Sequence, residues 1–387
     1  MANYFSSPFT LGILGGGQLG KMLLYETRKY DIATRVLDPS DQAPCRIACN
    51  EFEQGDLMDY QTVLEFGRKV DLLTFEIEGV NVDALETLEQ EGKKVYPSSA
   101  TLRHIQNKGV QKEFYRDHKI PTAPFTRFEN VEKLKAAVDQ GQVQIPFVWK
   151  SCVGGYDGMG VNIVKESATL DKLPDVECIA EDLIPFKNEL AVIVARSPKG
   201  ELTSYPVVEM EFHPEANQVE YVLCPARIDE NVARKARRVA EQVSGALQHV
   251  GLLAVELFQT NDDQILVNEV APRPHNSGHY SIEASYTNQF EQHLRAILDL
   301  PLGKTDSKVG GVMVNLVGAE GHTGPVLYEN IDKIMAMEGV TPHIYGKSQT
   351  RPFRKMGHVT IVDQQLDRAR KVAEDVKKSI RVISNNK

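Results

Sequence analysis

The first hundred residues alternate between short apolar runs and stretches with helical spacing. Residues 11–14 form an apolar strand that runs into Gly15-Gly16-Gly17-Gln18-Leu19-Gly20, and a helical pattern follows to about Tyr30. A second strand, Thr34-Arg35-Val36-Leu37, ends at Asp38-Pro39. A further strand-like run, Asp71-Leu72-Leu73-Thr74-Phe75-Glu76, follows another helical stretch. Strands alternating with helices predict a parallel, doubly wound sheet, which closes near Tyr96-Pro97-Ser98. Residues 101–135 read as helices with a break at Pro121–Pro124. Strand patterns then dominate at 147–150, 161–164, 178–183 and 190–194, and a helix over roughly 229–249 interrupts them. This predicts an α+β middle domain ending at Leu300-Pro301-Leu302-Gly303. The tail carries a strand over 311–317, several turns and a final helix. The expected fold class is α/β and α+β in three domains: a doubly wound parallel sheet (1–100), a central domain in two halves (101–303) and a small β-rich domain (304–387). No internal repeat or low-complexity tract is present.

The strongest chemical signal is a hairpin. Leu252–Phe258 reads as one strand, Asn261-Asp262-Asp263-Gln264 as the turn and Ile265–Val270 as the return. If Asn261 faces Gln264, counting back sets Glu256 opposite Glu269. Like charges directly opposite on one sheet face destabilise it, and carboxylates among apolar neighbours are costly unless paired. A hard divalent cation between them resolves both costs. Magnesium fits best, because it takes a few carboxylates and completes its shell with phosphate oxygens and water. A nucleotide site is therefore expected nearby.

Two glycine motifs bear on that site. Gly15, Gly17 and Gly20 fit GxGxxG after a strand, and Asp38 lies where a dinucleotide fold places its ribose-binding acid. Backbone N–H groups at a helix N-terminus bind any phosphate, however, so a sugar phosphate, a dinucleotide and a tight turn without ligand all remain open. The second motif is more specific. A strand ends in Lys150, and Ser151-Cys152-Val153-Gly154-Gly155-Tyr156-Asp157-Gly158-Met159-Gly160 leads into the next. Four glycines in seven residues allow amides to approach phosphate closely, with Lys150 as a compact cation. No Walker lysine-serine pair follows. Glu181-Asp182-Leu183-Ile184 can offer backbone groups to a nucleobase and a carboxylate to ribose, although alone it reads as a solvated strand end. Glu189 is a further carboxylate candidate. Ala271-Pro272-Arg273-Pro274-His275-Asn276-Ser277-Gly278-His279 follows Glu269 with a density of polar groups that points to ligand contact. Tyr345-Gly346-Lys347 and Arg351–His358 form a basic cluster that suits an anion or a solvated face.

Composition narrows the classes. The chain has 387 residues, 42% hydrophobic and 25% charged, enough for a large core. Its formal net charge of −9, without a Lys/Arg-rich run, argues against a nucleic-acid partner. No apolar run reaches the roughly 20 residues of a membrane helix. The N-terminal residues lack a basic region followed by an apolar core, so they do not read as a signal peptide. Five cysteines without a CxxC pair support neither a zinc site nor a disulfide framework, and predict reduced thiols and a cytoplasmic location.

In order along the chain these residues resemble the ATP-grasp family, and within it the biotin-independent carboxylases of purine synthesis. The resemblance covers nearly the whole chain. It rests on the glycine turn at 15–20, Thr74-Phe75-Glu76-Ile77-Glu78, Gly154-Gly155-Tyr156-Asp157-Gly158, Asn268-Glu269-Val270-Ala271-Pro272-Arg273, His275-Asn276-Ser277-Gly278-His279 and Arg354-Lys355-Met356-Gly357-His358. It implies a three-domain ATP-grasp fold with ATP between the halves of the middle domain. Lys108 and Lys150 then resemble the ATP-phosphate lysines, and the loop 154–160 covers the triphosphate. Glu181, Asp182, Leu183 and Ile184 resemble the adenine-contacting strand, Glu189 the ribose carboxylate, and Asn268 part of the nucleotide motif. Glu256 and Glu269 resemble ligands of magnesium, two ions, with manganese as a substitute. His213 is a weaker transfer, because the spacing from Tyr205-Pro206 is one residue longer. Gly17, Gln18, Leu19, Glu76, Tyr156, Asp157, Arg273, His275, Asn276, Ser277, Lys347 and Arg354 resemble contacts to the ribonucleotide. Many members carry Arg or Lys where this chain has Met159; either Lys355 or Lys165 compensates, or the family contact is dispensable.

The implied reaction is ATP-dependent carboxylation of 5-aminoimidazole ribonucleotide with bicarbonate, through carboxyphosphate. Lys150, Arg273 and Asp157 are the catalytic candidates. Asp157 would orient the substrate amine or accept its proton, and released phosphate is an equal candidate for that base. The resemblance also implies a homodimer whose product passes to a mutase. The competing readings are an ATP-grasp transformylase using formyl phosphate, a dinucleotide-dependent dehydrogenase and a non-catalytic ATP-binding protein. The dehydrogenase leaves Glu256, Glu269 and the second glycine loop unexplained.

Overall fold

The computed structural model describes residues 3–154, 160–213 and 218–385. The N-terminal sheet has five strands in the order Glu51–Gln54, Ala33–Asp38, Thr10–Leu14, Leu72–Phe75 and Lys94–Val95, all parallel. Leu11, Ile13 and Leu14 are completely buried, as a parallel strand covered on both faces requires. Strand order reverses at Thr10–Leu14. A ligand crevice therefore opens beyond the carboxyl ends Leu14 and Phe75, where the glycine turn and Glu76 begin.

A second, antiparallel sheet has the order Phe125–Phe128, Cys178–Asp182, Phe147–Ser151 and Val161–Val164, over a core that includes Trp149 and Phe147. Phe125–Phe128 lies in the segment whose pattern reads as helix. Pro121 and Pro124 end the helical run at Asp117, and pairing with Cys178–Asp182 then makes the next four residues an edge strand.

The third sheet has nine strands. Its path begins at the hairpin (Ile265–Ala271 with Gly251–Thr260) and continues through Phe186–Arg196, Val208–Phe212 and Val219–Cys224. It then crosses to Gly310–Val317, Lys355–Asp363 and Val340–Ile344, so these strands after Gly303 extend this sheet, while Gln349–Thr350, Gly324–Glu329 and Arg381–Ser384 form a separate three-stranded sheet. The helix Glu230–Leu247 buries Ala236, Ala240 and Val243 against Leu190, Val192, Leu253 and Val255. The helix Leu366–Ser379 covers the far end, and a last strand, Arg381–Ser384, follows it to pair with Gly324–Glu329. Thr122 bridges to Val267 between the two halves of the middle region, and the cleft lies between their sheets.

Candidate active site

The hairpin places Glu256 opposite Glu269, as counted, but by a different route. The turn is a three-residue loop: Thr260 N–H donates to Gln264 O at 3.0 Å, and Asp263 takes φ of 61°. This shifts the register by one, and a bulge between Glu256 and Leu257 on one side and Val267 and Glu269 on the other restores it. Asn268 is the extra residue. A bulge re-aims side chains, so Asn268 and Glu269, although consecutive, both reach the cleft. Asn268 Oδ1 accepts from Lys150 Nζ at 3.1 Å, and Glu269 Oε2 lies 2.9 Å from Lys108 Nζ.

The glutamates differ in charge state. Burial, together with the charges of Glu269 and Glu189, pushes the Glu256 carboxyl up to about 8. Burial also raises Glu269, but Lys108 outweighs it and holds this carboxyl below its usual range. Burial and the Glu269 charge raise Glu189 to about 7. Three carboxylates thus converge with too little positive charge. Among the described residues no cluster of three or more His, Cys, Asp or Glu could hold a metal alone. The donor set fits magnesium that shares two carboxylates and takes its other oxygens from phosphate and water.

Lysines face these acids. Asn107 caps the helix Lys108–Asp117 through its side chain on Val110 N–H at 3.0 Å. Lys108 therefore stands in the first turn, where the helix dipole disfavours a cation, and Glu269 compensates. Lys112, one turn on, shares the face and contacts Glu181; its Nζ also donates to Thr122 Oγ1 at 2.5 Å. Burial lowers Lys112 to about 8. Lys150 Nζ takes the other Glu181 oxygen at 2.5 Å. Of the backbone groups and the carboxylate that Glu181–Ile184 can offer a nucleoside, the Glu181 carboxylate is taken up internally: the residue is 4% exposed and neutralised by two lysines, leaving the strand backbone for a base.

The other end of the cleft is apolar. Phe258 and Leu266 pair across the hairpin one step from the glutamates, and Phe186 stacks on Phe258 at 4.6 Å. A cavity of about 460 Å³ opens there, lined by Thr122, Pro124, Ile184, Pro185 and Leu266 with the hairpin turn. Asp182 and Leu183, which precede Ile184, are exposed, and Glu189 pairs with Phe258 from the next strand. His213 follows the strand whose Met210 pairs with Glu189. Gly154 and Gly160 have φ of 80° and 75° at the ends of the glycine loop. Gly155, Tyr156, Asp157, Gly158 and Met159 lie outside the described residues.

Beyond the carboxylates the crevice of the N-terminal sheet begins. Glu76 sits on the N-terminus of the helix Gln18–Lys29, accepting from Gly17 N–H at 2.7 Å and Gly20 N–H at 2.8 Å. A Cβ on Gly17 would fall 2.5 Å from Glu76 Oε1, so the turn needs glycine there. Asp38 takes the Gly16 N–H at 2.7 Å. Three amides expected to meet a phosphate are thus used internally. Among the described residues Gln18 and Leu19 keep free N–H groups at the helix start. The Gly17 N–H is thus engaged by Glu76, which leaves the Gln18 and Leu19 amides for a phosphate and argues against a dinucleotide, whose pyrophosphate would meet the Glu76 carboxylate.

Arg273 Nε lies 2.9 Å from Glu78 Oε1. His275 Nε2 lies 3.5 Å from Glu256, with Nδ1 on Ser277 Oγ at 2.9 Å. Asn276 and Asn315 exchange amide hydrogen bonds of 2.8 and 3.0 Å. The C-terminal segment closes the crevice: Lys21 Nζ donates to Ile344 O at 3.0 Å, beside Gly346 and Lys347. Lys347 Nζ donates to Lys355 O, and Arg354 Nη1 to Gln349 O.

Known families match all three parts. The ribonucleotide synthetase preATP-grasp domain matches residues 9–106, the ATP-grasp domain 113–290 and the phosphoribosylaminoimidazole carboxylase C-terminal domain 311–372. N5-carboxyaminoimidazole ribonucleotide synthase of Bacillus subtilis is 37% identical over 362 residues, 92% of each chain. The chain belongs to the N5-carboxyaminoimidazole ribonucleotide synthase family. The synthetase of Thermotoga maritima superposes with a TM-score of 0.89 at 40% identity, over 97% of this chain and 100% of that one. The Aspergillus clavatus synthase, solved with ADP and 5-aminoimidazole ribonucleotide, gives 0.88 at 32% identity, over 96% and 98%.

Within this synthase fold, sequence reasoning missed Lys112, Phe258, Leu266, Lys21 and Glu78. Helical spacing from Lys108 could have found Lys112, and alternation from Glu256 could have found Phe258. Nothing local announces Lys21, whose partners lie more than 320 residues away.

Proposed function

We propose that this chain carboxylates 5-aminoimidazole ribonucleotide with bicarbonate and ATP, giving 5-(carboxyamino)imidazole ribonucleotide, ADP and phosphate. The observation that carries the reading is the convergence of Glu256, Glu269, Asn268, Lys108 and Lys150 beside a crevice that holds Glu76 and Arg273. ATP would place its base against Ile184, Leu266 and Phe258, and its phosphates on Lys108 and Lys150. Glu256 and Glu269 would hold magnesium, two ions, with manganese an alternative. When bound, the metal neutralises charge on the transferring phosphoryl group.

Bicarbonate is a poor electrophile. Transfer of the γ-phosphoryl breaks its bond to the β-phosphate oxygen, forms carboxyphosphate and releases ADP. Lys150 and Lys108 supply positioning and fixed charge for that step. Carboxyphosphate then yields the carbon to the exocyclic amine of the ribonucleotide, with phosphate leaving. Asp157 or that phosphate takes the amine proton. Gln18 and Leu19 amides with Lys347 and Arg354 suit the ribonucleotide phosphate. Glu76, Arg273, His275, Asn276 and Ser277 line the space between. The glycine loop would close over the intermediate and exclude water.

Among the described residues no helix is long and apolar enough to cross a membrane. Cytoplasmic work as a homodimer, with product handed to a mutase, completes the proposal. The test is ADP release with ATP, magnesium and bicarbonate, with and without the ribonucleotide. Stimulation by the ribonucleotide that depends on bicarbonate is expected. Equal rates without either co-substrate would refute the assignment.

A further inference from the structure

Lys112 has no part in the steps above, yet among the described residues it is the least exposed Lys, Arg, Asp or Glu, at 2%. Its ammonium meets one Glu181 oxygen while Lys150 takes the other at 2.5 Å. Two cations share one buried carboxylate. Lys112 also donates to Thr122 Oγ1, whose O–H passes to Val267 O at 2.7 Å. Val267 immediately precedes Asn268, the other partner of Lys150. Lys112 therefore reaches both groups that hold Lys150, one directly and one through Thr122 and the hairpin strand.

We propose that Lys112 is a positioning residue that keeps Glu181 neutralised, so that Lys150 can leave Glu181 for the nucleotide phosphates. With Lys150 as its sole partner, Glu181 would become an unpaired buried carboxylate whenever that lysine moved, and burial makes such a state costly. With Lys112 in place the carboxylate stays paired throughout. The surplus positive charge of two lysines on one acid is available to the triphosphate. The inference rests on the reading of the cleft as an ATP site.

Lys112→Met and Lys112→Gln both leave Glu181 paired with Lys150, so neither strands a buried charge. The KM for ATP, and the dissociation constant of magnesium-ADP measured by calorimetry, should rise about tenfold, the scale of one charged hydrogen bond. The KM for the ribonucleotide should stay unchanged. Adding Glu181→Gln to Lys112→Met should recover most of the nucleotide affinity, because an amide no longer retains Lys150. A purely structural role would lower stability without that rescue. Nucleotide affinity within twofold of the parent in both single variants, or a double variant as weak as Lys112→Met, overturns the proposal. A parent protein that turns over no ATP would instead overturn the reading of the site, so the two failures are separable.

Discussion

Replacing Glu256 with glutamine should stabilise the empty protein while abolishing its reaction. Glu256 keeps 16% of its side-chain exposure and faces Glu269 and Glu189. Its carboxyl rises from 4.5 to about 8 through burial and those two charges. A raised carboxyl pKa means that the folded state binds the proton more tightly than the unfolded state. The group's contribution is therefore neutral below 4.5 and becomes increasingly destabilising up to about 8. From 4.5 to pH 7 is 2.5 units, which at about 1.36 kcal/mol each makes about 3 kcal/mol. Glutamine carries no such penalty and keeps the shape. In chelator at pH 7, Glu256→Gln should melt several degrees above the parent, and the difference should vanish near pH 4.5. Adding magnesium and ATP should reverse the order, since only the parent gains binding free energy, and ADP release by the variant should fall to background. A variant that melts no higher than the parent at pH 7, or gains equally at pH 4.5, would refute the like-charge argument.

Asp157→Ala should lose carboxylation while keeping a ribonucleotide-independent ATPase; full carboxylation, read by product chromatography, would end its assigned role. Leu266→Glu puts a carboxylate against the base end of the cleft and should weaken ATP binding by about 2 kcal/mol or more, because a buried unpaired charge is costly; calorimetry with unchanged affinity would move the base elsewhere. His293 is fully buried between Thr74 Oγ1 and Leu252 N–H, and burial lowers it to about 3. A lowered histidine leaves stability flat above about 6.5 and removes about 1.36 kcal/mol per pH unit below it, until the folded pKa is reached. His249, lowered to about 4, adds a second proton. Between pH 6.5 and 4.5 the parent's urea midpoint should therefore lose ground to that of His293→Asn; parallel pH profiles would show that this histidine charges in the fold.

Much of the site was legible because its signals are local. Alternation named the parallel sheet, and the glycine turn named its ligand-facing end. Two short strands with one acid each named the facing glutamates. The pairing of Glu256 with Glu269 nevertheless came from two compensating shifts, a three-residue turn and the bulge at Asn268. Counting saw neither, because bulges are set by which backbone groups pair across the sheet. The segment 125–128 misled for a related reason: an edge strand of four residues takes its hydrogen bonds from Cys178–Asp182, far along the chain.

The sequence by itself determined most element types, the candidate residues for the chemistry and the family that their order resembles. Tertiary structure alone decided how those residues are used. It set Glu76 on the helix start, where Gly17 and Gly20 amides meet a carboxylate of this chain. It tied Lys150 to Glu181 and Asn268, with Lys112 behind them, and laid the 344–347 segment against Lys21. Spacing along a chain fixes which side chains share a face. Which buried charge finds which partner is fixed by the requirement that every such group be satisfied across segments the chain separates by tens to hundreds of residues.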